Sequence, residues 1–474
     1  MQVDRSLFID GTWTRPLTGT PLDVINPADG TVCAVVSMGD AADVKRAVAA
    51  ARTAFESFGR IGVDERIALL EAVIRSYEAH SDELVSVLSA EMGAPVTLAA
   101  GAQVPSGLGH FVATLEALKS FAFEERIGTT RVVHEPIGVC GLITPWNWPL
   151  NQIAAKVAPA LATGCTMVLK PSEIAPLNAI VFTKVLAAAG VPAGVFNLVN
   201  GDGPTVGTAL AEHPDVAMMS FTGSTRAGIE VARTSARTVK RVSQELGGKS
   251  ATVILDDADL EQVVTAEVQA MYQNSGQSCN AGSRMLVPAH LVSQVEAIVR
   301  KATAAVVVGD PRDAATDVGP VVSEQQFDKV QDLIDSAIRE GAELVVGGLG
   351  RPDGLEEGYY ARPTVFSHVT AEMRIWREEV FGPVLVVAGY TDEDSAVAMA
   401  NDSEYGLSGK VYSASEDRAW DLARRLRTGM VHINGAPLDN RAPFGGYKHS
   451  GNGREFGAHG LREFLETKSV YIPA

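Results

Sequence analysis

Cys279 is the side chain of this 474-residue chain best placed to act as a nucleophile. It sits in Gln273-Asn274-Ser275-Gly276-Gln277-Ser278-Cys279-Asn280-Ala281-Gly282-Ser283-Arg284, a loop of small and polar residues. A helix-like run, 260–272, precedes the loop and a strand-like run, 285–287, follows it. A thiolate needs positive potential or hydrogen-bond donors around it, and a small-residue loop leaves backbone N–H groups free to supply them. Taken alone, Cys279 reads equally well as a compact filler in a turn.

Five further stretches carry usable chemistry, each with an ordinary alternative. Glu245, in Gln244-Glu245-Leu246-Gly247-Gly248-Lys249, follows a strand-like run, where a carboxylate is poised over a cleft as a general base; the alternative is a surface glutamate. In Thr144-Pro145-Trp146-Asn147-Trp148-Pro149 the amide of Asn147 can donate to an oxyanion between two aromatic walls, or the tryptophans can simply be core. The turn Phe221-Thr222-Gly223-Ser224-Thr225 opens a helix-like run, which suits a phosphate as well as it suits an unliganded βα turn. Lys170-Pro171-Ser172-Glu173 can hold ribose hydroxyls or form a surface charge pair. Glu378-Glu379-Val380-Phe381-Gly382-Pro383 offers a carboxylate and an aromatic ring beside a Gly-Pro turn. No G-x-G-x-x-G occurs, and Ser243 stands where a P-loop ending in Gly248-Lys249-Ser250 needs its first glycine, so ATP chemistry is not indicated.

The elements that must position these residues show a change of rhythm. Asp40 reads as the N-cap of a helix over 41–58, and further helices are expected over 63–80, 82–92 and 101–123. Residues 126–139 read as two extended pieces flanking Pro136. From 139 strands and helices alternate: strands over 140–143, 166–169, 195–198, 216–219 and 239–243, with helices between them. A second alternating series runs from 251 to about 434. The chain is therefore expected to be an α/β protein with two parallel sheets, ligands meeting the carboxyl ends of the strands. The tail is expected to end in an edge strand over 468–472.

Apolar content of 46% and charged content of 20% suit a large globular core. A net charge of −17 gives no basic footprint for nucleic acid or an anionic membrane. No apolar run reaches ~18 residues and the N-terminus lacks an apolar signal region, so neither a membrane span nor secretion is expected. Cys33, Cys140, Cys165 and Cys279 are scattered, and the nine histidines show no metal-ligand spacing; a reduced, cytoplasmic setting without a metal site is expected.

Taken together and in order, Pro145–Pro149, Lys170–Glu173, Phe221–Ser224, Glu245–Lys249, Gly276–Cys279, Glu378–Pro383 and the tail Pro443–Gly451 resemble the aldehyde dehydrogenase superfamily, over nearly the whole chain. The resemblance implies an NAD-dependent enzyme of the hydrolytic type that turns a small aldehyde into a carboxylic acid. Cys279 would be the nucleophile, Asn147 the oxyanion donor and Glu245 the base that hydrolyses a thioester. Trp146, Lys156, Lys170, Glu173, Gly223, Ser224, Glu379 and Phe381 would hold the cofactor, with Glu173 disfavouring NADP. Trp148, Asn151, Ala155, Ser278, Asn280 and Leu438 would line the substrate tunnel, suited to a medium-sized aliphatic or aromatic aldehyde. Arg441 either reads a substrate carboxylate, as in a semialdehyde dehydrogenase, or faces solvent. The implied fold has a Rossmann-like NAD-binding domain (1–123 and 140–247), an α/β catalytic domain (248–440), and an oligomerisation arm with the tail (124–139 and 441–474), assembled as a homotetramer or homodimer. A CoA-acylating enzyme, a catalytically silent relative and a cysteine esterase are the competing readings; Glu245 speaks against the first, and the joint presence of Cys279 and Glu245 against the second.

Overall fold

The computed structural model describes residues 2–3 and 6–473. Its first sheet is built on the chain's most continuous apolar runs. Val139–Ile143, Thr166–Lys170 and Met218–Thr222 are buried at every position, as parallel strands covered on both faces must be. Across the sheet the order is Arg241–Glu245, Met218–Thr222, Val139–Ile143, Thr166–Lys170, Phe196–Leu198, all parallel, with an antiparallel hairpin of Leu7–Ile9 and Thr12–Thr14 at one edge. The chain's progress across the sheet reverses at Val139–Ile143. The carboxyl ends of that strand and of Met218–Thr222 therefore diverge and leave a crevice between their loops.

Across the second sheet the order is Glu343–Val346, Thr364–Ser367, Val384–Tyr390, Arg284–Pro288, Ala251–Ile254, Ser408–Tyr412, Met430–Ile433. Ala251–Ile254, Arg284–Pro288, Thr364–Ser367, Val384–Tyr390, Ser408–Tyr412 and Met430–Ile433 run parallel, and Glu343–Val346 caps one edge antiparallel. Both sheets carry helices, so the expected mixed α/β architecture is the one found. A third, antiparallel sheet joins Glu124–Ile127, Thr130–Pro136 and Leu465–Val470 (Leu465 opposite Pro136, Val470 opposite Arg131). Among the described residues, no helix is long and apolar enough to cross a membrane.

Four differences from the expected elements bear on the site. The strands expected over 216–219 and 239–243 lie two residues later, at Met218–Thr222 and Arg241–Glu245. Val239 misleads a hydropathy reading: it is a turn residue with φ +57° and 92% exposed. The shift makes Glu245 the last residue of its strand. Residues 126–139 are not two strands flanking Pro136; Pro136 ends the second strand of the arm, and Val139 begins the first sheet. The edge strand of the tail runs Leu465–Val470, three residues before the expected 468–472. The long helix expected from 101 begins at Val96 and passes through a π-helical turn, Ala99–Gln103, before Val104–Ser120. Such turns are rare inside helices and concentrate at functional sites; this one delivers Gln103 to the neighbourhood of Asn147.

Candidate active site

The crevice at the reversal point is a cleft of ≈ 180 Å³. Trp146 and Asn147 enter it from the loop after Val139–Ile143, Gly223 and Ser224 from the loop after Met218–Thr222, and Glu379 and Phe381 from the second sheet. Cys279 also lines it. Seven residues chosen from separate stretches of sequence are thus brought to one place.

The loop carrying Cys279 is held by an unusual backbone. Asn274 and Ser275 take left-handed φ of 55° and 56°, and Gly276 follows at 71°. Asparagine tolerates this region through its short polar side chain, and glycine has no Cβ to clash. A Cβ on Gly276 would stand 2.1 Å from the Gly382 carbonyl. Side-chain bonds lock the turn: Asn274 Nδ2 donates to the Asn147 carbonyl (2.8 Å) and the Gln277 carbonyl (3.1 Å), and the Val322 N–H donates to Gln277 Oε1 (2.9 Å).

Asn147 is 3% exposed, and its Nδ2 donates to the Gln277 carbonyl at 3.0 Å. A carboxamide has two N–H groups, so one is held and one remains for a ligand oxygen. Its backbone carbonyl also accepts from Gln103 Nε2 (3.1 Å). Gln103 and Asn274 were not foreseen as site residues. Local sequence carries no sign of Gln103, which lies in a helix far from every motif; the polar pair Asn274-Ser275 before Gly276 was the available signal for the turn.

Of the two surroundings that favour a thiolate, positive potential or hydrogen-bond donors, Cys279 meets the second. Burial, with Glu379 and Glu245 nearby, pushes its thiol up from the ordinary range. The expected donors are present: the backbone N–H groups of Cys279 and Asn280 pull the other way. On the far wall Trp148 Nε1 donates to Ser278 Oγ at 2.7 Å, fixing two of the expected tunnel residues together.

Glu245 is 2% exposed, and neither carboxylate oxygen has a hydrogen-bond partner. It does not line the cleft. Its carboxyl lies against the tail, where a Cβ on Gly445 would stand 2.8 Å from Oε1. Burial first, and then Glu455, raise its carboxyl well above the usual carboxylate range. The tail segment containing Phe444, Glu455 and Phe456 thus returns to the site, while Leu465–Val470 joins the arm.

Lys156 was expected beside a cofactor. Its ammonium is instead committed to a buried ion pair with Glu455 (2.5 Å) and to Ser220 Oγ (3.1 Å), and it lines no part of the cleft. Lys170 is buried and pairs with Glu173 at 2.8 Å; Glu173 stays 37% exposed and open to a hydroxyl ligand. Ser224 caps the helix Thr225–Ser235 through Ala227 N, leaving the first backbone N–H groups of that helix for an anion. Trp146 and Phe381 meet edge to face, centroids 5.3 Å apart. Phe381 has a left-handed φ of 57°, and Gln326 Nε2 donates to its carbonyl (2.9 Å). Glu379 accepts from the Gly248 N–H at 2.8 Å. An anion site, a carboxylate and an aromatic wall in one crevice fit a dinucleotide.

Beyond the cysteine, Ala155 packs with Leu407, Phe444 and Phe456 in a small apolar cluster that Cys279 adjoins. Asn151 and Asn280 are partly exposed. Leu438 is 41% exposed and belongs to a surface loop, not to the wall around Cys279. Arg441 faces solvent and turns its fork to Asp439 (2.9 and 2.8 Å), so its charge is already answered.

Lys249 ends the same turn as Glu245. Its Nζ is buried without a partner, beside a void of ≈ 10 Å³, and burial, with Arg284 second, pushes it down to about 7 from 10.5. A lysine depressed in the folded state destabilises fully below about pH 7, and that penalty fades as pH rises toward the unfolded value. The stability of the wild type relative to Lys249→Met is therefore expected to climb between pH 7 and 10, by roughly 1.4 kcal/mol per unit at most, with its Tm rising accordingly. Parallel Tm curves for the two proteins would mean that the lysine is charged and solvated.

The aldehyde dehydrogenase family model matches residues 13–470. A 3-succinoylsemialdehyde-pyridine dehydrogenase from Pseudomonas sp. is 57% identical over 467 residues, 98% of each chain. A putative aldehyde dehydrogenase from Staphylococcus saprophyticus is 46% identical over 98% of each chain. Among solved structures, a cysteine-to-alanine mutant of aldehyde dehydrogenase C from Pseudomonas syringae, in complex with NAD+ and octanal, is 49% identical with a TM-score of 0.99, covering 99% of this chain and 98% of that one. An aldehyde dehydrogenase from Mycobacterium tuberculosis in complex with NAD+ is 40% identical, with a TM-score of 0.97, over 100% of this chain and 99% of that one.

Proposed function

Because the chain belongs to the aldehyde dehydrogenase family, we propose that it oxidises an aldehyde to the carboxylic acid through a covalent adduct on Cys279 that water, activated by Glu245, releases. It is an NAD-dependent aldehyde dehydrogenase. NAD, when bound, accepts the hydride. Ser224 and the helix behind it hold the pyrophosphate, Glu173 and Lys170 the adenosine ribose, and Glu379, with Phe381 and Trp146, the nicotinamide end. The Glu173 carboxylate repels a 2′-phosphate, which favours NAD over NADP.

The chain's own residues divide the rest. The Cys279 thiol gives up its proton to water, Sγ bonds to the carbonyl carbon, and the π pair of the carbonyl moves to oxygen as an alkoxide that Asn147 Nδ2–H and the Cys279 N–H hold. One such donor is worth on the order of 3 kcal/mol of barrier. Loss of hydride leaves a thioester. Glu245 takes a proton from water, the oxygen attacks the thioester carbon, and the C–S bond breaks to free the acid and restore the cysteine. The observation that carries this reading is the convergence of Cys279 and Asn147 in one cleft, with a buried, unpartnered carboxyl at Glu245 close enough to perturb the thiol.

The 57% identical relative favours a semialdehyde attached to a ring as the substrate, accepted by a pocket walled by Trp148, Phe444 and Phe456. The route expected through Arg441 is dropped, because Asp439 neutralises it. The functional division follows residues 1–123 with 140–247 for NAD, 248–440 for catalysis, and 124–139 with 441–474 as arm and tail, in a cytoplasmic homotetramer or homodimer. Exposed Ile127, Val470, Tyr471 and Ile472 on the arm support assembly there.

The test is NADH formation by purified protein with a panel of alkanals and aromatic aldehydes, with and without CoA. Turnover with NAD and no CoA is expected, with the acid as product. A requirement for CoA, or acid formed without NADH, would overturn the hydrolytic dehydrogenase.

A further inference from the structure

At the antiparallel edge of the second sheet, side chains from three elements converge. Glu343 opens the edge strand Glu343–Val346 and stands opposite Ser367 on the neighbouring strand. His368 is the next residue, so the register sets it at the same end as Glu343. Glu296 comes from the helix Val292–Ala304. One imidazole nitrogen and one oxygen of each carboxylate all lie within 4.8 Å of one another. None of the three residues lines the cleft that holds Cys279.

Glu296 is the member that packing alone does not explain. It shares the buried face of its helix with Val295, Ile298, Val299 and Ala302, and it is 8% exposed. Its Oε1 is buried and has no hydrogen-bond partner. Arg300, one turn further along the same helix, gives its Nε to the Val345 carbonyl instead (3.3 Å). The unpartnered oxygen is the one that faces the cluster, 3.9 Å from His368 Nε2. Glu343 Oε2 is 3.6 Å from the same nitrogen. Both separations are too long for a hydrogen bond. A carboxylate buried without a partner carries its desolvation cost with nothing to offset it, and a second carboxylate beside it adds repulsion. A cation held between them removes both penalties.

We propose that Glu296, Glu343 and His368 form a zinc-binding site, with its fourth position left to water, that ties the edge strand to the helix. The donor set selects the metal: an imidazole nitrogen with two carboxylates suits zinc and its transition-metal neighbours, whereas calcium and magnesium take oxygen ligands. Tetrahedral zinc at about 2.0–2.1 Å from nitrogen or oxygen holds its ligands roughly 3.3 Å apart. The Glu296 side chain is fixed by burial, while His368 at 65% and Glu343 at 53% exposure are free to close the remaining gap. Two carboxylates balance the charge of the ion and leave the imidazole neutral. The ligands come from three elements, so no local spacing in the sequence announces them. The site is independent of the dehydrogenase reading.

The experiment is equilibrium dialysis of metal-stripped, full-length protein against micromolar zinc chloride, followed by metal analysis. It uses Cys279→Ala as the parent, which removes the cleft thiol as a competing ligand. The parent is expected to retain one zinc per chain. Glu296→Gln, equal in shape but uncharged, and His368→Ala, at an exposed position, are each expected to weaken binding by about 10-fold or more. Zinc is also expected to raise the Tm of the parent and to slow amide exchange over Glu343–Val346, and to do neither in the variants. In EDTA, Glu296→Gln is expected to melt no lower than the parent, so that lost binding is not mistaken for lost folding. No zinc retained by the parent, or equal retention by the parent and both variants, would overturn the inference. A loss of Tm in His368→Ala that is the same with and without zinc would make the cluster an ion pair only and would overturn it as well.

Discussion

Cys279→Ala is expected to lower aldehyde oxidation by on the order of 10⁴-fold or more while leaving fold and NAD binding intact. Cys279 is the one thiol lining the cleft among the described residues, and the hydride can leave only after a nucleophile has made the carbonyl carbon tetrahedral. Alanine removes the sulfur without disturbing what shapes the loop, because the turn is set by Asn274, Ser275 and Gly276 and by the bonds of Asn274 and Gln277. The oxyanion donors survive too, since one is a backbone N–H and the other belongs to Asn147. The measurements are steady-state NADH formation, Tm, and quenching of tryptophan fluorescence by NAD, with Trp146 in the cleft as reporter. Activity within tenfold of wild type would remove Cys279 from the mechanism, and the Glu245 step with it.

The free thiol is itself informative. Burial and the two carboxylates hold it protonated in the unliganded protein. Alkylation by iodoacetamide at neutral pH should therefore be slower than for an exposed cysteine, despite the cysteine's place in an open cleft.

Glu245→Gln separates the two halves of the reaction. The variant keeps the shape of the side chain and removes the base. Acylation of Cys279 should proceed, so mixing enzyme, NAD and aldehyde should give a burst of about one NADH per active site. Turnover after the burst should fall by roughly 10²–10³-fold, the usual contribution of a positioned general base. The pH dependence carries a definite sign. Burial and Glu455 raise the Glu245 carboxyl, so the base form accumulates only as pH rises through that elevated value. Wild-type kcat is expected to increase with pH across that range, and the glutamine variant to lose this limb. Its stability should move oppositely: a carboxyl raised on folding favours the folded state at low pH, and that contribution is lost as pH rises from about 4.5 through the folded value. A variant with no burst, or with the wild-type pH limb intact, would assign the water-activating role elsewhere.

Much of the site was legible because its parts are local. Cys279 stands in a loop whose small residues announce it, and Asn147, Gly223 and Ser224 each follow a buried strand whose apolar run is plain in the sequence. The helix Leu260–Tyr272 falls on the expected residues, and Asp40 caps its helix through Ala42 N and Asp43 N. In each case neighbours along the chain carry the signal: hydrophobic spacing, a capping side chain, a glycine in a turn. Thr364–Ser367 escaped notice because four residues between loop segments have too little periodicity to register.

What the sequence by itself determined is which side chains the chemistry uses and the rank of strands and helices that carries them. What only the tertiary structure decided is which groups face one another. Lys156 reads as a cofactor ligand until Glu455, 299 residues away, claims its ammonium. Asn147 is aimed by a carbonyl 130 residues away, and Glu245 is turned to a tail glycine rather than to the cleft. His110 meets the side chain of Asn151, 41 residues further along the chain. The physical reason is the same for each: backbone conformation is set mainly by residues within a few positions, whereas the orientation and protonation of a buried polar side chain depend on whichever groups the finished packing brings within hydrogen-bond reach.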